Sequence, residues 1–68
     1  MQRKPIAGSS NIRSIGFEDG TLEIEFRSGA VYRYEGVPEQ VYLDLVASES
    51  VGQFFAEFIK GRYPFTKA

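Results

Sequence analysis

The chain has 68 residues, no cysteine, no histidine, and eight basic against nine acidic side chains, for a net charge of −1. That length leaves room for one domain, which buries only ~60% of the surface its unfolded chain exposes. The missing cysteines exclude disulfides and thiolate metal sites, as suits a reducing compartment. Without His or Cys the common nucleophile–base pairs are absent, and a near-neutral total argues against a chain that mainly coats nucleic acid.

The charge is unevenly spread. Residues 1–13 carry Arg3, Lys4 and Arg13, and residues 57–68 carry Lys60, Arg62 and Lys67 against Glu57. Between them eight carboxylates stand against Arg27 and Arg33. Two basic ends on an acidic body would form a local patch if the fold brings them together; solvated termini are the plainer reading. Met1–Ile6 has no apolar run of the signal-peptide kind, and nothing approaches the ~20 apolar residues of a membrane span. A soluble, cytoplasmic protein with no membrane partner is expected.

Residues 1–8 are expected to be a flexible N-terminal segment, 9–65 the domain and 66–68 a tail, with Gly8-Ser9-Ser10-Asn11 as loop chemistry. From Ile12 the pattern is that of strands. Asp19-Gly20 is a hairpin signal, because that dipeptide suits the positive φ of a type I′ turn. Thr21–Arg27 alternates strictly between apolar and polar, so Phe17 should oppose Leu22 and Ile15 should oppose Ile24.

The second hairpin admits two registers. A Ser28-Gly29 turn would put Tyr32 and Tyr34 across from Glu25 and Glu23 on the outer face. A three-residue Arg27-Ser28-Gly29 loop, with Gly29 in the left-handed region, instead sets Ile24 against Tyr32, Leu22 against Tyr34 and Glu23 against Arg33. The second buries more apolar area and pairs opposite charges, and it is the expected register.

Gly36-Val37-Pro38 ends the sheet, and Val41, Tyr42, Leu45 and Val46 follow at helical spacing. After a Ser48-Glu49-Ser50 joint, Ser50 and Gln53 form a capping-box pattern. Val51, Phe54, Phe55, Phe58 and Ile59 then make an apolar stripe, with Gly61 as the expected C′ residue. The fold class is therefore α+β: a three-stranded antiparallel meander (about 12–18, 21–27 and 30–35) with two C-terminal helices (about 38–47 and 51–60) on one face. The predicted core is Ile15, Phe17, Leu22, Ile24, Phe26, Tyr32, Tyr34, Val41, Leu45, Phe54, Phe55, Phe58 and Ile59.

No constellation identifies a catalytic chemistry. Glu23 and Glu25, ~7 Å apart on one strand face, read as a solvated outer face beside Arg33 and Arg27. Ser9-Ser10 has no identifiable base, and Glu18-Asp19 lacks the spaced carboxylates of a calcium loop. The start of the second helix, with Gly52, resembles an anion site, but Glu49 opposes phosphate there and capping is the safer reading. No cofactor, no metal and no enzymatic activity are expected.

Nucleic acid is the stronger comparison. Tyr32-Arg33-Tyr34 interleaves aromatics with a cation, and aromatics on a sheet can stack unpaired bases. The expected register turns these tyrosines inward, as core with hydroxyls at its edge. The better electrostatic candidate is Lys60-Gly61-Arg62-Tyr63-Pro64-Phe65, with Lys67. Its plainer reading has Tyr63 and Phe65 folding back on the core while the cations stay solvated.

The pattern Ser9-Ser10-x-Ile12-x-x-Ile15-Gly16-Phe17, Leu22-x-Ile24-x-Phe26-x-x-Gly29-x-Val31-Tyr32-x-Tyr34, Val37-Pro38-x-x-Val41-Tyr42, Ser50-x-Gly52-x-x-Phe55 and Ile59-x-x-x-Tyr63 resembles the KTSC domain. That family is named for its occurrence at the C-terminus of some lysyl-tRNA synthetases, and it also occurs as stand-alone bacterial proteins. Its central Y-x-Y motif is Tyr32-Arg33-Tyr34 here. Phe17 stands where tyrosine is expected, so a role for a hydroxyl is not carried over to it. The resemblance spans residues 9–65 and implies, through the synthetase context, RNA as a partner. The expected function is a non-catalytic bacterial module binding RNA (tRNA) through Lys60, Arg62, Tyr63, Arg33 and Arg13. The alternative is a module for protein interaction or self-association, since small cores without staples lean on partners.

Overall fold

The computed structural model describes residues 2–6 and 11–68, so the Ser9-Ser10 pair lies outside the described residues. The element order is β1 (Arg3–Pro5), β2 (Ile12–Glu18), β3 (Thr21–Phe26), β4 (Val31–Tyr34), α1 (Glu39–Ala47), α2 (Val51–Phe58) and β5 (Phe65–Lys67). The strands form one antiparallel sheet in the order β1-β2-β3-β4-β5. The three-stranded meander is thus corrected to five strands, four of them before the helices. The two additions lie at the chain's ends: β1 within the segment expected to be flexible, and β5 overlapping the expected tail. Both are three residues long and take their hydrogen bonds from the edges of the central meander.

The central registers follow from turn chemistry. Asp19 and Gly20 both have positive φ, 49° and 81°, as a type I′ turn requires, and Phe17↔Leu22 and Ile15↔Ile24 pair across it. Gly29, at φ 99°, closes the second hairpin, with its N–H donating to Phe26 O at 2.9 Å. The pairs Leu22↔Tyr34, Glu23↔Arg33 and Ile24↔Tyr32 are those of the three-residue loop. One feature escaped the sequence pattern: β2 shifts register between Ile12 and Ser14, so Arg13 is an inserted residue and Ile12 comes to oppose Phe26. Without that bulge Arg13 would face the core. With it, Ile12 is fully buried and Arg13 exposed.

Both helices cover the inner sheet face, and the buried core is Ile12, Ile15, Leu22, Ile24, Tyr34, Val37, Leu45, Phe55 and Ile59. Phe17 stacks on Tyr42 of α1 at 5.1 Å. The cap of α2 is as expected, with Ser50 Oγ accepting from Gln53 N at 3.4 Å. Phe58, expected in the core, is 47% exposed. The apolar stripe is wider than the face α2 buries: Phe55 and Ile59 point inward, while Phe54 and Phe58 lie on one flank with ring centroids 4.7 Å apart. Among the described residues no helix is long and apolar enough to cross a membrane.

Candidate aromatic groove

Alternation along three strands aims Phe26, Tyr32, Tyr34 and Phe65 at the inner face, where Phe55 of α2 meets them. Their contacts close a ring. Phe26 lies edge-on to Tyr32 at 5.6 Å, Tyr32 to Phe65 at 5.4 Å, Phe65 is tilted against Tyr34 at 5.4 Å, and Tyr34 meets Phe55 at 5.5 Å. Phe55 returns to Phe26 at 5.5 Å. Edge-to-face pairs contribute about 0.5–1.5 kcal/mol each beyond area burial, so the cycle stiffens the sheet end it occupies.

The cycle is only partly roofed. On α2, Gly52 and Ala56 recur at i and i+4, on the flank opposite Phe54 and Phe58, and Lys60 follows in the turn just past the helix end. Two small side chains there leave a groove of about 740 Å³ between helix and sheet. The five aromatic residues line it together with Asn11 before β2, with Arg27, Ser28 and Ala30 of the β3–β4 hairpin end, and with Gly61. Its charged lining residues are Arg27 and Lys60, both cationic. Tyr34 is 4% exposed while Phe65 is 56% exposed, so the wall grades from core to surface. Burial pushes the Tyr34 hydroxyl above its ordinary pKa, and neighbouring Tyr32 pushes it the same way. Tyr34 is therefore a neutral phenol at physiological pH.

The outer face is built differently. Arg3, Gly16, Glu23 and Arg33 lie in one row across four strands. Because Gly16 has no side chain, the Arg3 guanidinium passes over β2 and its Nη1 donates to Glu23 Oε2 at 3.0 Å. From the other side Arg33 Nε donates to Glu23 Oε1 at 2.7 Å. Glu23 is consequently 6% exposed, which corrects the expectation of a solvated carboxylate. Ser14 Oγ donates to Glu25 Oε1 at 2.8 Å in the next row. A second hollow, about 350 Å³, is lined by Glu18, Asp19, Thr21, Arg33 and Glu35, with Thr21 Oγ1 donating to Glu35 Oε1 at 2.6 Å. Among the described residues no cluster of three or more His, Cys, Asp or Glu is arranged for a metal ion.

The residues singled out in the sequence therefore separate. Lys60 lines the groove. Arg62, in the exposed turn after α2, donates from Nε to Glu57 O at 3.0 Å, and half-buried Tyr63 packs against the core. Arg13 sits at the bulge of β2. Arg33 is on the opposite face of the sheet, held by Glu23. The aromatic walls were missed as a site because period-2 alternation marks them only as inward-facing. The signal available was the small-residue flank of α2.

A family model described as the KTSC domain matches residues 8–63. A crystal structure of a KTSC domain protein from Yersinia pestis superposes with a TM-score of 0.93, at 42% identity over 98% of this chain and 96% of that one. An uncharacterised protein of Stutzerimonas stutzeri is 44% identical over 57 residues, 81% of this chain and 80% of that protein. A lysine–tRNA ligase of Nostoc punctiforme is 47% identical over 58 residues, 82% of this chain but only 10% of the ligase. The chain belongs to the KTSC domain family. With the ligase, it shares a segment spanning a tenth of that enzyme's length.

Proposed function

We propose that the chain is a non-catalytic, cytoplasmic RNA-binding module whose working surface is the aromatic groove and the basic turn that follows α2. The observation that carries this reading is the groove's lining: aromatic rings, two cations, and no carboxylate among the described lining residues. Base faces stack on aromatic rings while phosphates are held by cations. The likeness to a segment of a ligase named for tRNA supports the same ligand class. Lys60, Arg62 and Tyr63 are the primary contacts in this reading, with Arg13 a peripheral one. Arg33, turned away and bound to Glu23, takes no part. Titration of labelled tRNA into the protein tests it: binding should weaken linearly on a log–log salt plot and fall further with Lys60→Glu combined with Arg62→Glu. Absence of binding at ~20 mM salt overturns it.

A second reading, a protein partner or self-association, is supported by exposed Leu43 and Phe58 and by the short edge strands β1 and β5. Sedimentation showing only monomer at every concentration, with no partner in pull-downs, counts against it.

A further inference from the structure

Building on the RNA reading, we infer that the groove takes unpaired nucleotides of a single strand and that duplex RNA does not enter it. The geometry argues for this in three steps. First, the accessible ring surface lies inside a cleft. Phe65 projects from the edge strand, Tyr32 is half-buried beside it, and the facing wall is formed by Gly52 and Ala56 of α2 and by Lys60 in the turn that follows it. A base reaches those rings only if it has left its stack; paired bases in an A-form helix present their edges in grooves and keep their faces covered.

Second, the lining chooses the sign of the ligand. A cluster of aromatic rings is also the architecture that recognises quaternary ammonium groups. Here, however, the charged residues among the described lining are Lys60 and Arg27, and no carboxylate is among them. A cationic guest would be repelled by both, whereas a planar base joined to a phosphate satisfies ring and cation together.

Third, the lining carries polar side chains of the kinds that hydrogen-bond a base edge. Tyr34 stays protonated and its neighbour Tyr32 lies two residues along the same strand face, so the motif brings two phenol side chains to the groove. Asn11, before β2, and Ser28, in the β3–β4 loop, add an amide and a hydroxyl to the lining. Lys60, in the turn after α2, lines the groove and supplies a cation for the phosphate of an inserted nucleotide.

The experiment compares a short unstructured pyrimidine RNA with the same strand annealed into a blunt duplex, against wild type, Phe65→Ala and Ala56→Trp. Phe65 and Ala56 are both exposed, and a circular-dichroism melt of each variant checks the fold. The single strand should bind wild type at least ~10-fold more tightly than the duplex, and either variant should weaken it roughly 5- to 100-fold. On wild type, NMR resonances of the Tyr32 and Phe65 rings should shift with the single strand and stay in place with the duplex. Equal affinity for both forms, or single-strand binding untouched by Ala56→Trp, overturns the groove assignment while RNA binding stands. No binding to either form, or equally tight binding of a poly-glutamate peptide, overturns both readings. A pyrimidine mononucleotide that shifts the same two rings at millimolar concentration supports the inference.

Discussion

Glu23 of β3 lies directly across from Arg33 of β4, and the guanidinium Nε donates to its carboxylate at 2.7 Å. This pair, rather than the tyrosines on either side of Arg33, marks the outer face, and by alternation it turns Tyr32 and Tyr34 inward. Arg3 completes the cluster from β1 across the space left by Gly16. The cluster therefore ties β1, β3 and β4 together through one carboxylate, reaching across β2.

Removing that carboxylate should be felt. Glu23→Gln keeps the shape but leaves two guanidinium groups without their anion, and hydrogen bonds to charged groups contribute about 1.5–3 kcal/mol each. The Arg33 side chain is 52% exposed and the Arg3 side chain 29%, so both regain water and recover part of the loss. The expected cost is about 1–3 kcal/mol, read as a lower urea midpoint at unchanged slope. Arg33→Ala should cost less, because Glu23 keeps Arg3.

The two tyrosines should behave unequally. Tyr34 is 4% exposed and touches Phe55 and Phe65, so Tyr34→Ala is a large-to-small core truncation costing about 3–5 kcal/mol. Tyr32 is half-buried against Phe26 and Phe65, and Tyr32→Ala should cost roughly half as much. Thermal melts of the pair decide it. Equal, negligible shifts would contradict the inward register.

Alkali gives an independent check on Tyr34. Its hydroxyl is raised above the ordinary value of 10.0 by burial, and then by Tyr32. The unfolded chain therefore loses this proton first, so the contribution is intact below pH 10 and is lost as pH rises through the folded-state value. Stability should fall above pH 10, and Tyr34→Phe should flatten that fall while leaving neutral pH nearly unchanged. Denaturation midpoints measured between pH 8 and pH 11 show whether it does.

The hairpins were readable because two independent signals agree in them. Asp19-Gly20 and Arg27-Ser28-Gly29 each supply a turn whose loop length brings apolar positions together. Strands β1 and β5 carry no such signal. Arg3-Lys4-Pro5 and Phe65-Thr66-Lys67 are too short to alternate, and they pair only because the meander offers two open edges. The bulge at Arg13 was hidden for a related reason: an inserted residue breaks period two locally, and only the burial of Ile12 reveals it. The groove was hidden because a ring that faces inward and a ring that lines an opening look alike in a periodic pattern. What separates them is the small flank Gly52–Ala56 on a helix whose position over the sheet is a tertiary fact.

The last strand should matter more than its exposed side chains suggest. Phe65, Thr66 and Lys67 are all exposed, so area burial alone predicts little loss on removing residues 65–68. Yet β5 pairs with all of Tyr32, Arg33 and Tyr34, and Ala68 N–H donates to Val31 O at 2.7 Å. Deletion removes those backbone bonds, strips Phe65 from both tyrosines and turns β4 into an open edge. The expected loss is about 2–3 kcal/mol, at about 0.5–1.5 kcal/mol per hydrogen bond with partial replacement by water. Phe65→Ala, which keeps the pairing, should cost under about 1 kcal/mol at this half-exposed position. Denaturation of the two variants side by side separates backbone pairing from ring packing. If the deletion costs no more than Phe65→Ala, the strand contributes only its phenyl ring. If it costs clearly more and the truncated chain also self-associates in sedimentation, β5 is the element that closes the sheet edge beside the groove.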